Sequence, residues 1–382
     1  MRMFAAALAA STCLLGSAHA AETIKIGVPV GLSGANSTVA PSVVQASELA
    51  VDEINAKGGV LGKKLELVVV DDASGAAGAQ KAFDALVFQN EVNAVVAMET
   101  SAARNAALPI VQRGKVPYIY TSFYEGASCN PYLFANGWVP QQQVPPIVNF
   151  FMDEKKAKKF FLIGSDYAFG RGMLAFARKA IEEKGGTVVG EEYLPIDGTD
   201  WTPVLSKLKA SGAEALVTST SGGAPNVTLT KQLRSSGIDL PYGNLAVDEG
   251  TARSMGADAA GIYLSASYVT GIDSPANKAY LEAMKAKFGD NLVTPNDLST
   301  PQYEGILAYA AAVEKAGTTD ARPVLEALKT VSVDGPRGTI TMSKQHHAPL
   351  TMYLAQVQAD GSVKVIQSFA DVDPGDQCPK LN

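Results

Sequence analysis

Hydroxyls, aromatic rings and carboxylates collect in this chain in five short segments, each following a run of apolar residues. They are Glu99-Thr100-Ser101, Thr121–Glu125 (TSFYE), Gly164–Gly170 (GSDYAFG), Thr218–Gly223 (TSTSGG) and Asp248-Glu249-Gly250. Where such a segment opens a helix, its free N–H groups and hydroxyls can hold a carboxylate, carbonyl or amide. Ser101 also suits a helix N-cap, a role worth about 1 kcal/mol. Thr100, Ser122, Tyr124 and Ser221 add hydroxyls, Tyr167 and Phe169 add rings able to close over a small solute, and a carboxylate at Glu249 suits an ammonium or amide donor. This is the chemistry of noncovalent capture.

Reaction chemistry finds few supports. Gly58–Lys64 (GGVLGKK) approaches a phosphate loop, but its spacing is one residue short and Lys64 occupies the Ser/Thr position. It reads as a helix stop and a turn. No G-x-G-x-x-G runs from a strand into a helix, and neither G-x-S-x-G nor H-E-x-x-H occurs. Beyond residue 20 the only histidines are His346 and His347. Adjacent residues of an extended segment point opposite ways, which argues against a shared metal, and histidine base catalysis has almost no candidates. Neither a catalytic residue nor a cofactor is expected.

The elements that must position the five segments follow a strand–helix rhythm. Ile24, Ile26, Val28 and Val30 alternate and run into the glycine-containing loop at Gly31–Gly34. Helix 41–57 stops at Gly58-Gly59; strand 65–70, helix 78–90, strand 94–98, helix 102–112 and strand 116–120 follow. After the proline-containing stretch Pro140–Pro146 the rhythm restarts, from strand 160–164 to strand 262–266. Three helices (275–288, 302–315, 322–328) and three strands (338–342, 350–358, 363–369) complete the chain. The expected fold is α/β, with two doubly wound lobes whose loops face each other across a cleft. Lobe 1 is expected to comprise 21–142 and 272–335, and lobe 2 to comprise 143–271 and 336–382.

Met1–Ala20 carries Arg2, an apolar run and Ala18-His19-Ala20, the pattern of a secretory leader cleaved after Ala20. Export to the periplasm is therefore expected. Loss of Arg2 moves the formal charge from −6 to −7, with 31 basic against 38 acidic residues. No basic stripe suits nucleic acid. Cys129 and Cys378 remain after the leader, and an isolated pair in an oxidising compartment is expected to bond.

Ile24–Gly34 (IKIGVPVGLSG), Asp52–Gly62 (DEINAKGGVLG), Val68–Asp72 (VVVDD) and Gly164–Gly170, in that order and spacing, resemble the leucine/isoleucine/valine-binding family of type I periplasmic solute-binding proteins. The likeness covers essentially the whole chain after the leader. Tyr120–Pro131 (YTSFYEGASCNP), Pro140–Pro146, Gly164–Tyr167, Asp334–His347 (DGPRGTITMSKQHH) and Asp376–Pro379 (DQCP) resemble the family's urea and short-chain amide branch. The resemblance implies a clamshell with a multi-strand hinge, capturing a small polar solute (an amino acid, urea or a short amide) for the permease subunits of an ABC importer, as a monomer. The alternative is a component presenting ligand to a signalling receptor. The resemblance also implies ligand contacts at Ser101, Ser122, Tyr167, Phe169 and Glu249. The amide-binding pattern has an aromatic where this chain has Glu99; a carboxylate there either accepts from a cationic group or faces solvent.

Overall fold

The computed structural model describes residues 23–34, 36–73 and 75–381. The expected leader and its cleavage site lie outside these residues. The chain begins with β1 (Ile24–Val30), α1 (Ala40–Ala56), β2 (Leu65–Asp71), α2 (Ala76–Phe88), β3 (Ala94–Ala97), α3 (Ser101–Gly114), β4 (Tyr118–Tyr120) and β5 (Leu133–Ala135). These strands form a parallel sheet in the order β2-β1-β3-β4-β5. Helices cover both faces, so the central strands are buried on both sides, as parallel sheets require.

The second lobe contains α4 (Pro140–Asp153), β6 (Lys159–Ser165), α5 (Ala168–Glu183), β7 (Thr187–Leu194), α6 (Thr202–Ala210), β8 (Ala215–Ser219), α7 (Ala224–Ser235), β9 (Tyr242–Asn244), α8 (Glu249–Met255) and β10 (Ile262–Ala266). The chain then returns to the first lobe with α9 (Pro275–Phe288), α10 (Ser299–Ala316), α11 (Ala321–Leu328) and the hairpin β11 (Ser332–Gly335)–β12 (Gly338–Thr341). Finally β13 (Leu350–Val357) and β14 (Val363–Val372) extend the second sheet, whose order is β14-β13-β10-β9-β8-β6-β7. β13 and β14 are its antiparallel members. This is the expected two-lobed α/β architecture.

Local chemistry explains many boundaries. Proline occupies the first or second position of α1, α4, α6, α7 and α9, where its missing N–H has no helical partner to lose. α1 ends at Gly58 and Gly59, with φ of 110° and 83°; a Cβ on Gly59 would lie 2.0 Å from the Lys63 carbonyl oxygen. Pro140–Pro146, assigned to no element from sequence, forms the first half of α4. Pro145 and Pro146 lie inside that helix, and burial of Val144, Ile147, Val148 and Phe151 holds it against the second lobe.

Three segments cross between the lobes: 136–139 after β5, 267–272 after β10 and 342–349 after β12. The third crossing lies beyond the expected 335/336 boundary because the β11–β12 hairpin packs on α10. Residues beyond β14, assigned from sequence to the second lobe, return to the first, where Cys378 is disulfide-bonded to Cys129.

Candidate functional site

Parallel sheets leave ligand room beyond the carboxyl ends of their strands, and there the two lobes face each other across a cavity of about 60 Å³. From the first lobe come the loop after β1 (Asn36, Thr38, Val39), the β3–α3 junction (Met98 to Ser101), the end of β4 (Tyr120, Ser122, Phe123) and Leu298. The second lobe contributes Tyr167 and Phe169 at the start of α5, Thr220, Gly222 and Gly223 after β8, and Ala246, Asp248 and Thr251 around α8.

The β3–α3 junction is held tightly. Thr100, not Ser101, is the N-cap: it has extended backbone angles and its hydroxyl accepts from Ala103 N at 3.1 Å. Ser101 is then the first helical residue, and its hydroxyl donates to Glu125 Oε2 at 2.5 Å. Glu125 in turn accepts from Arg104 Nη2 at 2.6 Å. The Arg104 guanidinium lies 5.1 Å from the ring centre of Tyr120 and 4.6 Å from that of Tyr124. Ser122 Oγ accepts from Glu99 N at 2.9 Å, and Tyr120 donates to the Glu99 carbonyl at 2.8 Å. Ser122 Oγ also pairs with the Tyr120 hydroxyl.

Glu99 does not face solvent; it is 2% exposed. Burial, and then the neighbouring Asp72 carboxyl, push its pKa well above the usual carboxylate range, so the neutral acid is favoured. Asp248 is also raised by burial, against the stabilising bonds it accepts from Gly250 N, Thr251 N and Thr251 Oγ1. No Lys, Arg or His occurs among the described lining residues. Phe123 stacks on Trp138 at 4.2 Å and faces Phe169 across the cleft at 5.7 Å; Phe169 lies 6.0 Å from Tyr167. The Thr220 hydroxyl is fully buried and makes no hydrogen bond among the described residues.

The structure brings Glu99, Thr100, Ser101, Ser122, Tyr167 and Phe169 to one cavity wall or the other. It places three candidates elsewhere. Tyr124 meets His347 Nε2 at 2.5 Å beneath the first lobe's helices. Ser221 Oγ donates to the Ile196 carbonyl. Glu249 accepts from Thr270 N at 2.9 Å, Thr270 Oγ1 at 2.7 Å and Arg253 Nη2 at 2.9 Å, which turns its carboxylate away from the cavity. Its neighbour Asp248 lines the cavity instead. Leu298, Val39 and Asn36 escaped the sequence reading because nothing in their local pattern differs from an ordinary loop.

A model of the family described as periplasmic binding protein matches residues 23–362. The Leu/Ile/Val-binding protein homolog 6 of Brucella melitensis is 27% identical, with 98% of this chain and 99% of that protein covered. A Rhodopseudomonas palustris ABC-transporter solute-binding protein, solved with 4-hydroxybenzoate, superposes with a TM-score of 0.85 at 25% identity, covering 93% of this chain and 99% of its own. The branched-chain amino acid transporter substrate-binding protein LivJ of Streptococcus pneumoniae, solved with isoleucine, gives 0.80 at 29%, covering 91% and 99%. Two α/β lobes closing on one cavity, together with a family match over most of the chain, make this protein a member of the periplasmic binding protein family, of the type I leucine/isoleucine/valine-binding kind that serves transport and not catalysis.

Proposed function

We propose that this protein is the periplasmic substrate-binding component of an ABC importer and that its solute is small and carries no net negative charge. Urea or a short-chain amide fits first, and a small amino-acid zwitterion second. The cavity carries the reading: walls from both lobes, about 60 Å³ of space, and no Lys, Arg or His among its described lining residues. For scale, an engineered cavity of about 150 Å³ takes up benzene. Less than half that space suits a solute of a few non-hydrogen atoms. Isoleucine and 4-hydroxybenzoate, the solutes of two similar structures, need lobes set further apart, and a benzoate anion would meet no compensating cation.

In this reading the solute carbonyl faces the Ser122 hydroxyl and the first N–H groups of α3, where the helix dipole favours partial negative charge. Thr220 and Tyr167 answer from the second lobe, and Phe169 with Phe123 excludes water. Because the contacts come from both lobes, bound solute favours the closed arrangement, and that population shift is the signal to the permease subunits. Export with cleavage after Ala20 and a monomeric state belong to the same reading.

Isothermal titration of residues 21–382 with urea, acetamide, alanine, leucine and 4-hydroxybenzoate tests it. Urea, acetamide or alanine is expected to bind, and a hundredfold excess over Kd raises unfolding free energy by about 2.7 kcal/mol. Tighter binding of leucine or 4-hydroxybenzoate overturns the size and charge argument.

A further inference from the structure

Two of the three segments that cross between the lobes meet at one buried charged cluster, beside the hairpin that leads into the third. Arg337 lies in the two-residue turn between β11 and β12, just before the third crossing, and is 6% exposed. Its Nη1 donates to the Asn136 carbonyl on the first crossing at 3.0 Å and to Ser267 Oγ on the second at 2.9 Å. Its Nε and backbone N donate to Glu304 of α10 at 2.5 and 3.0 Å. Asp297, 3% exposed in the segment before α10, spans the same two crossings. Asp297 Oδ2 accepts from Trp138 Nε1 at 2.6 Å and from Ser267 N at 3.1 Å, and Oδ1 accepts from Ser267 Oγ at 2.5 Å. Ser267 Oγ thus receives one hydrogen from Arg337 and passes its own to Asp297.

On the second-lobe side the fastening is uncharged. Gln142 Nε2 donates to the Ala348 and Val372 carbonyls, and Gln143 Nε2 to those of Leu245 and Ser265. The charged part of the hinge therefore belongs to the first lobe.

We propose that Asp297 makes this hinge proton-sensitive: its ionised form clamps the first and second crossings, and protonation releases them toward a wider, more mobile opening of the lobes. Protonation weakens this clamp because it removes the charge that the bonds share. Three donors already converge on the ionised carboxylate. A neutral carboxyl accepts from these donors about half as strongly as the carboxylate does. The charged groups facing Asp297 are Arg337 from the hairpin turn and, through it, Glu304 of α10; Trp138 and Ser267 are neutral. Burial outweighs Ser267, Arg337 and Trp138 and lifts Asp297 to about 6, within reach of ordinary changes in surrounding pH. His346 and His347, the only described histidines, lie at about 4 and stay neutral across this window.

The test uses solute-free protein, so it stands apart from the identity of the solute. Spin labels on Lys81→Cys in α2 and Lys209→Cys in α6, both exposed positions, report the lobe-to-lobe distance in the full chain with its native disulfide. Between pH 7.5 and 5.2 the distance distribution is expected to lengthen and broaden, with a midpoint near 6. Asp297→Asn is expected to show the broad distribution at both pH values. Identical distributions for the unmodified hinge across this range overturn the proposal, as does an unchanged response in Asp297→Asn. If that variant does not fold, the unmodified protein's titration decides alone, and Ser267→Ala, which removes one link of the chain, must move the midpoint.

Discussion

Cys378 is bonded to Cys129 with their Cα atoms 5.5 Å apart, so a tail leaving the last strand of the second lobe is covalently fixed to the first. Gln377 Oε1 also accepts from Ala127 N at 2.9 Å, and Cys378 N donates to Gln345 Oε1 at 2.9 Å. The lobes thus have a fourth connection besides the three crossings.

The cysteines are 249 residues apart, a long loop whose closure removes up to about 5 kcal/mol of unfolded-state freedom in the chain-entropy account. Cys129→Ser/Cys378→Ser is expected to lower the denaturant midpoint markedly, and adding reductant to the parent protein to reproduce that loss. Equal midpoints for oxidised parent and double variant would show that the tail bonds alone hold this connection.

Thr220 and Glu249 are expected to separate binding from stability. Thr220→Val keeps the side-chain shape, removes the unpaired hydroxyl at the cavity wall, and is expected to weaken solute binding about tenfold, or 1.4 kcal/mol, with little change in Tm. Glu249→Ala breaks the bonds to Thr270 and Arg253 and is expected to cost about 1–3 kcal/mol of stability. Titration calorimetry beside thermal unfolding distinguishes the two, and a larger affinity loss for Glu249→Ala than for Thr220→Val would return Glu249 to the site.

Arg104 is 2% exposed and has one carboxylate partner among the described residues, Glu125. Glu125→Ala leaves a buried guanidinium without its counter-charge and is expected to destabilise the protein by about 3 kcal/mol. Glu125→Gln keeps acceptors for Arg104 and Ser101 and is expected to recover part of that loss. Chemical denaturation of the pair checks it; equal, small losses would mean that the Tyr120 and Tyr124 rings suffice for the cation.

His347 is buried and its pKa is lowered to about 4, chiefly by desolvation. The unfolded chain binds a proton at about 6.5 and the folded chain does not until about 4, so this contribution is complete above pH 6.5 and is lost as pH falls toward 4. The span corresponds to about 3 kcal/mol. His347→Gln is expected to flatten the acid limb of stability against pH by up to that amount. Comparing the two proteins cancels other groups that titrate in the window, and parallel acid limbs would contradict the assignment.

Much of the fold was legible because burial imposes a period on each element. The alternation at Ile24–Val30, the helical spacing of Val43, Ala46, Leu49 and Ala50, and the stop at Gly58-Gly59 each report one element and its neighbours in sequence. Four elements escaped. β5 and β11, of three and four residues, and α8, of seven, are too short to show a period, and α4 hides behind its prolines because packing on the second lobe outweighs local preference.

By itself the sequence determined the strand–helix order, the pairing of two cysteines, the lack of reaction motifs and the loops that meet at the cleft. These depend on residue type and short spacing. Only the tertiary structure decided where the side chains in those loops point. Glu249 turns to Thr270 and away from the cleft, Ser101 serves Glu125, and Leu298 reaches a cavity formed by residues far from it in sequence. It also gathered Asn136, Ser267, Asp297 and Arg337 into one hinge. The reason is physical: a buried polar group takes the partner that folding brings within about 3 Å, and no local period encodes a partner that lies 21 to 201 residues along the chain.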